Sequence, residues 1–139
     1  MTGQTLLLSL RPEFAELVFA GTKRVELRRV RPRVKEDDWI LVYVSTPVKA
    51  LVGAIQVARI IESSPSSLWK KVRDHAGITR RQYNEYYLGA PKAYGIVLNA
   101  VKRLPEPLEL SRLRQVWQDF HPPQCYRYLE VFETRLIEC

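Results

Sequence analysis

The chain has 139 residues, 46% of them hydrophobic, with 22 Lys+Arg against 15 Asp+Glu and a formal net charge of +7. That length suits one domain, which buries roughly 68% of the surface its unfolded form exposes and needs neither disulfides nor a structural metal. Cys125 and Cys139 offer no CxxC and no zinc-type spacing to a histidine, and no apolar run approaches the ~20 residues of a bilayer span, so disulfide-framework, zinc-scaffold and membrane classes are set aside.

The chain starts Met-Thr-Gly-Gln-Thr without the basic start and small-residue cleavage site of a signal peptide, so a reducing cytoplasmic location is expected. Thr5–Leu10 reads as a short buried strand. Arg11-Pro12 starts a helix, with Pro where its missing N–H costs nothing, and Phe14, Leu17 and Val18 share one face before Gly21 ends it. From Arg24 the period changes to two. Val25 and Leu27 point one way and Arg24, Glu26 and Arg28 the other, which predicts a half-buried strand with a charged second face.

A polar connection from Arg31 to Asp38 leads to an apolar strand, Trp39–Ser45, which Thr46-Pro47 ends. A longer strand covers Leu51–Ile61, with Gly53 placed for a bulge or a close backbone approach. Leu68, Trp69 and Val72 give helical spacing after Ser64-Pro65, and Gly77 stops that helix. Thr79-x-x-Gln82 is a capping box for the next one, which ends at Gly89 and sets Tyr83, Tyr86 and Tyr87 against the core. Ala93–Val101 is a further strand, Pro105-Glu-Pro107 a rigid connector, and Leu108–Trp117 a short helical segment that Pro122-Pro123 breaks. Tyr126–Ile137 reads as a last strand. Five or six strands with about three short helices are too few for a doubly wound sheet, and a small mixed α+β barrel is the expected closure.

Charge is concentrated. Lys23–Lys35 holds seven basic residues (Lys23, Arg24, Arg28, Arg29, Arg31, Arg33, Lys35) against the single acid Glu26, and Lys70–Arg81 holds five against Asp74. Clustered Arg suits phosphate, because a planar guanidinium donates two parallel hydrogen bonds and stays ionised. The chain has no GxGxxG, GxxxxGK[ST], HExxH or GxSxG, and His75 and His121 lie in no catalytic constellation, so no cofactor or metal is expected.

Gly21-Thr-Lys23-Arg-Val-Glu26-Leu-Arg28 is more specific, because Gly-x-Lys-x-x-Glu-x-Arg leading from a helix end into a strand resembles the hallmark of the ASCH domain family of the PUA-like superfamily. Ser9-Leu-Arg11-Pro12, Tyr43-Val-Ser45-Thr46-Pro47 with Val52-Gly53, and Pro122-Pro-Gln124-Cys-Tyr126 resemble further blocks of that family in the same order. The resemblance implies a small barrel flanked by helices, a cleft where the signature residues converge, and RNA-linked work. Some members are ribonucleases or hydrolases of acylated cytidine. The latter place Thr where this chain has Glu26, which argues against that activity here.

The expectation is an RNA- or nucleotide-binding module, with single-stranded DNA as a second nucleic-acid candidate. Its basic face would track phosphates, while a cleft of Lys23, Glu26, Arg28 and Ser45 reads a base, lined further by Ser9, Arg11, Arg24, Arg29, Tyr43 and Gln124. The alternative is a small hydrolase acting on RNA or a modified nucleoside, with Lys23 and Glu26 as its catalytic pair. A third class, a protein-interaction module, would use the surface of Trp39, Trp69 or Trp117.

Overall fold

Alternation and punctuation in the sequence translate into ten elements among the described residues, 4–123 and 126–130 of a computed structural model. They are β1 (Gln4–Leu10), α1 (Pro12–Phe19), β2 (Val25–Arg28), β3 (Trp39–Val44), β4 (Ala50–Ser63), α2 (Pro65–Val72), α3 (Arg80–Tyr86), β5 (Ala93–Glu109), α4 (Leu110–Val116) and β6 (Tyr126–Glu130). Pro12 sits in the first turn of α1, Gly21 follows it at φ +84, and both halves of the Thr79/Gln82 capping box are formed at α3. These helices begin and end where their punctuation predicts.

The strands form one mixed sheet in the order β2-β5-β4-β3-β1-β6. β1 and β3 run parallel, and the other ladders are antiparallel. On one face Leu6, Leu8, Leu10, Ile40, Val42 and Val44 meet Ala15 and Val18 of α1. The opposite face sets Leu7, Tyr43 and Leu51 against Leu113 of α4 and the following Trp117 and Phe120. A third cluster packs Leu68 and Val72 of α2 and Tyr83 and Tyr87 onto Val25, Leu27 and Ala93 at the β2 end. No helix among the described residues is long and apolar enough to cross a membrane.

Three expectations change. The barrel is not closed: β2 and β6 end the strand order, with no ladder between them among the described residues. The long strands β4 and β5 shift register at Leu51/Gly53 and twice between Gln56 and Arg59, so the sheet can curve about its core while helices cover it. Next, Pro105-Glu-Pro107 lies inside β5 and is no connector. Its residues fall in the register gap between the Gly53↔Arg103 and Leu51↔Leu108 pairs, where missing N–H donors break no ladder bond. Last, β2 is buried on both faces, although its outward set was expected to be solvated. Of the expected C-terminal strand, β6 supplies 126–130, and 131–137 lie outside the described residues.

The expected close approach at Gly53 is present. A Cβ there would collide with the Lys102 carbonyl and press on the Phe19 ring at 3.0 Å.

Candidate functional site

The signature segment is built from the backbone outward. After Gly21 turns the chain, the Thr22 and Lys23 N–H groups both donate to the Leu17 carbonyl at 3.0 Å, and those of Arg24 and Val25 donate to the His75 carbonyl at 2.7 and 3.2 Å. The loop at 75–77 is thereby fixed against the start of β2. Gly77, at φ +70, makes room for the Lys23 stem, since a Cβ there would press on its methylenes at 3.1 Å.

Folded this way, Lys23, Glu26 and Arg28 are only 3%, 8% and 8% exposed. The Lys23 ammonium donates to the Ala76 carbonyl. It lies 3.9 Å from one Glu26 oxygen, while Arg28 Nη2 donates to the other at 3.2 Å. One carboxylate is thus held between two buried cations. Burial draws the Lys23 pKa below its ordinary value, Glu26 opposes that shift and Arg28 adds to it. The Tyr87 hydroxyl, 3.1 Å from the Arg28 carbonyl, closes the cluster from α3's side. Its pKa is driven upward, chiefly by burial and further by neighbouring Tyr86, Tyr83 and Glu26.

The basic run does not present itself as one face. Lys23 and Arg28 are buried, whereas Arg11, Arg24, Arg29, Arg31, Arg33 and Lys35 are exposed. Arg29 donates to the Tyr86 and Leu88 carbonyls at 2.6 and 3.1 Å, covering the end of α3, and Arg31 joins Lys92 on Glu62 at 3.0 and 2.9 Å.

The remaining expected residues meet elsewhere. Ser9 and Tyr43 are register partners on parallel β1 and β3, which puts their side chains on one face. Beside them the Ser45 N–H and hydroxyl both reach the Leu10 carbonyl, at 2.9 and 3.3 Å. Ser9, Tyr43, Ser45, Thr46, Lys49 and Pro122 line an open cleft of about 210 Å³, with Leu110 of α4 at its edge. Lys23, Glu26 and Arg28, expected to share a site with Ser45, are not among the residues that line this cleft. β2, which carries the signature, is separated from β3 by β5 and β4.

Lys49 escaped the sequence reading. It holds a left-handed backbone, φ +50, clamped by its N–H to the Ser45 carbonyl at 3.4 Å and by the Leu110 N–H to its own carbonyl at 2.9 Å. A non-glycine residue kept in this region by surrounding bonds is a common mark of a functional position. The available signal was a lysine two residues after the Thr46-Pro47 pair and close in sequence to Tyr43 and Ser45.

Tyr43 is 2% exposed and packs edge-on to Phe120 at 6.3 Å. Burial raises its pKa and the charge of Arg114 opposes the rise, so at neutral pH the phenol keeps its proton and acts as a donor. Besides Lys49, Ser9, Tyr43, Ser45 and Thr46 the described lining holds Leu110, Pro122 and Pro123, and it contains no carboxylate, imidazole or thiol. Among the described residues no group of three His, Cys, Asp or Glu could hold a metal ion. Gln124 lies outside the described residues.

The sequence pattern of the ASCH domain matches residues 8–105. A Zymomonas mobilis protein named an ASCH domain-containing ribonuclease is 31% identical over 130 residues, which are 94% of this chain and 87% of that one. The crystal structure of ASCH from Zymomonas mobilis superposes with a TM-score of 0.89 at 30% identity, covering 96% of this chain and 92% of its own. The N-terminal domain of Staphylothermus marinus McrB, at 13% identity with a TM-score of 0.57 over 96% of this chain and 92% of its own, shares the fold alone.

Proposed function

The chain belongs to the ASCH domain family, and from that premise we propose that it binds RNA and cleaves its phosphodiester backbone in the cleft of Tyr43 and Lys49. One observation carries this reading: Lys49 and the hydroxyl-bearing residues Ser9, Tyr43, Ser45 and Thr46 line one open cleft that has no acidic residue in its described lining. The ribonuclease name of the Zymomonas mobilis relative supports the substrate and the reaction class.

In the step proposed, the RNA 2′-hydroxyl attacks the adjoining phosphorus and gives its proton to water. The bond to the 5′-oxygen breaks and that oxygen takes a proton from water, leaving a 2′,3′-cyclic phosphate. A phosphodiester carries one negative charge, and more gathers on its non-bridging oxygens along the way. Donors fixed at those oxygens stabilise the transition state more than the bound substrate. Lys49 supplies the cation, held by its clamped backbone, and protonated Tyr43 supplies a donor from a rigid, packed ring. Ser9 and Ser45 hold the strand's sugar-phosphate beside them. Lys23 and Glu26, the catalytic pair of the hydrolase alternative, act instead as a brace that fixes the 75–77 loop and the end of α1 to β2.

The test incubates a labelled single-stranded RNA, and DNA of the same sequence, with the protein and three variants. Lys49→Ala and Tyr43→Phe should lower RNA cleavage by about 10²-fold, the usual cost of one transition-state donor, with melting unchanged. Lys23→Met should keep the rate. Cleavage that survives Lys49→Ala would move the chemistry out of this cleft. RNA retained by the wild type without any product would leave recognition, the binding-module reading, as the function.

A further inference from the structure

Helix α4 starts at the cleft of Tyr43 and Lys49. The Leu110 N–H donates to the Lys49 carbonyl at 2.9 Å, and Leu110 edges the cleft. Arg114, four residues on, lies on the Leu110 side of the helix about 6 Å further along its axis, and it is exposed. Leu113, turned inward, is buried in the cluster that backs Tyr43. The Arg114 guanidinium is anchored. Its Nε donates to the Phe120 carbonyl at 3.1 Å, two residues before Pro122 and Pro123 of the cleft lining, and the Phe120 ring packs edge-on to Tyr43. Its charge reaches the Tyr43 hydroxyl, where it opposes the rise in pKa that burial causes.

What this cation lacks is an acid. Among the described residues Arg31 and Lys92 share Glu62 and Arg81 pairs with Glu85, whereas Arg114 enters no ion pair. The Nε bond fixes the plane of the guanidinium and leaves the two Nη groups side by side, able to donate a parallel pair of hydrogen bonds. Two oxygens of one phosphate accept such a pair. Arg112, also exposed, lies two residues back and therefore on the opposite side of the helix.

We propose that Arg114 takes the phosphate next along the RNA from the one held by Tyr43 and Lys49, and so fixes where the strand lies in the cleft. The inference rests on the RNA reading of that cleft and adds a second phosphate to it. Both cations are set on one frame, Lys49 through its carbonyl on the first N–H of α4 and Arg114 one turn further on. A strand whose phosphates repeat at a fixed interval meets two cations at a fixed spacing, whereas a lone anion engages one of them. Contacts of this kind set register and orientation and carry no base preference.

The experiment measures affinity for a fluorescein-labelled, 2′-O-methylated RNA hexamer, which has no 2′-hydroxyl to attack with, by anisotropy across a range of salt. Arg114→Gln separates charge from anchor: its amide nitrogen stands where Nε stood and can keep the Phe120 bond, while the charge is gone. It should bind about 10-fold more weakly, and log affinity should fall less steeply with log salt, by about 0.7, the share of one single-strand phosphate. Combined with Lys49→Ala, the slope should drop by about 1.4, one step for each phosphate. Arg112→Ala, which removes a charge from the far side of α4, should stay within about twofold of the wild type. Wild-type affinity and slope in Arg114→Gln would make the residue an anchor for Phe120 alone and overturn the assignment. So would a double variant no lower in slope than the single ones, which puts both residues on one phosphate, or an equal loss in Arg112→Ala, which reduces the effect to overall charge. Failure of the cleavage reading has a different signature: no product from unmodified RNA, with the binding deficit of Arg114→Gln intact.

Discussion

Two regions of this molecule hold a lysine at a turn beside a strand, and they treat it in opposite ways. At the β2 end, Lys23 is 3% exposed, and the protein supplies its partners through the Ala76 carbonyl and Glu26. At the β1–β3 end, Lys49 is exposed on a turn with a left-handed backbone, and its cleft neighbours are four hydroxyl-bearing residues, Leu110 and two prolines, with no described acid among them. A buried charge must find its counter-charge within the fold. A binding cleft does the reverse and leaves that role to the ligand. Three residues of the densest charge pattern in the sequence, Lys23, Glu26 and Arg28, satisfy one another inside the fold, whereas the turn lysine Lys49 stands exposed in the cleft proposed to take an anion.

The largest expected effect comes from breaking the brace. Glu26→Ala leaves the Lys23 and Arg28 charges facing each other without their shared carboxylate, and urea denaturation should show a loss of about 3–5 kcal/mol. A loss under about 1 kcal/mol would mean that these charges are solvated and that the contrast with the cleft is false.

A smaller effect of opposite sign is expected in the cleft. Lys49→Gly relieves a left-handed backbone at φ +50 and should raise stability by about 0.5–1 kcal/mol, part of the relief being offset by glycine's freedom in the unfolded chain. RNA cleavage should fall as in Lys49→Ala. Stability that drops instead would show that the lysine side chain holds the turn together.

The smallest effect is one of pH. The folded Lys23 pKa lies below 10.5, so in the interval between the two values the unfolded chain binds a proton that the folded chain does not, and stability rises with pH there. Lys23→Met removes that rise. The stability difference between wild type and variant, followed from pH 7 to 9.5, should move in the wild type's favour by less than about 1.4 kcal/mol per pH unit. Above pH 10 the raised tyrosine values, Tyr83 at about 12, act in the opposite direction, because the unfolded chain then loses protons that the folded chain keeps. A flat difference below pH 10 would mean that the Lys23 ammonium is not desolvated.

Local chemistry made much of the fold legible. Pro12 and Gly21 bound α1, the Thr79/Gln82 box starts α3, alternation marks β2, and short apolar runs mark β1 and β3. What escaped was non-local. A period of two says that Glu26 and Arg28 share a face, but what covers that face is a loop some 50 residues on, tied in by the His75 and Ala76 carbonyls. The prolines at 105 and 107 read as a break because the register gap that accommodates them belongs to the partner strand, β4. The site was half legible. Ser9, Tyr43 and Ser45 were named and do meet in one cleft, while Lys49 has no periodicity or motif and is picked out only by its backbone.

The same prolines bear on an open margin of the sheet. β2 pairs with β5 only from Tyr94 to Val97, so the rest of that side of β5, out to Glu109, has no strand beside it among the described residues. A long uncovered strand is an invitation to a neighbouring molecule's backbone. Here Pro105 and Pro107 lack two of the N–H groups such a neighbour would need, and exposed Lys102, Arg103 and Glu106 add charge to the same stretch. Replacing both prolines with valine should turn this margin into a template for self-association, read as light scattering that grows with protein concentration.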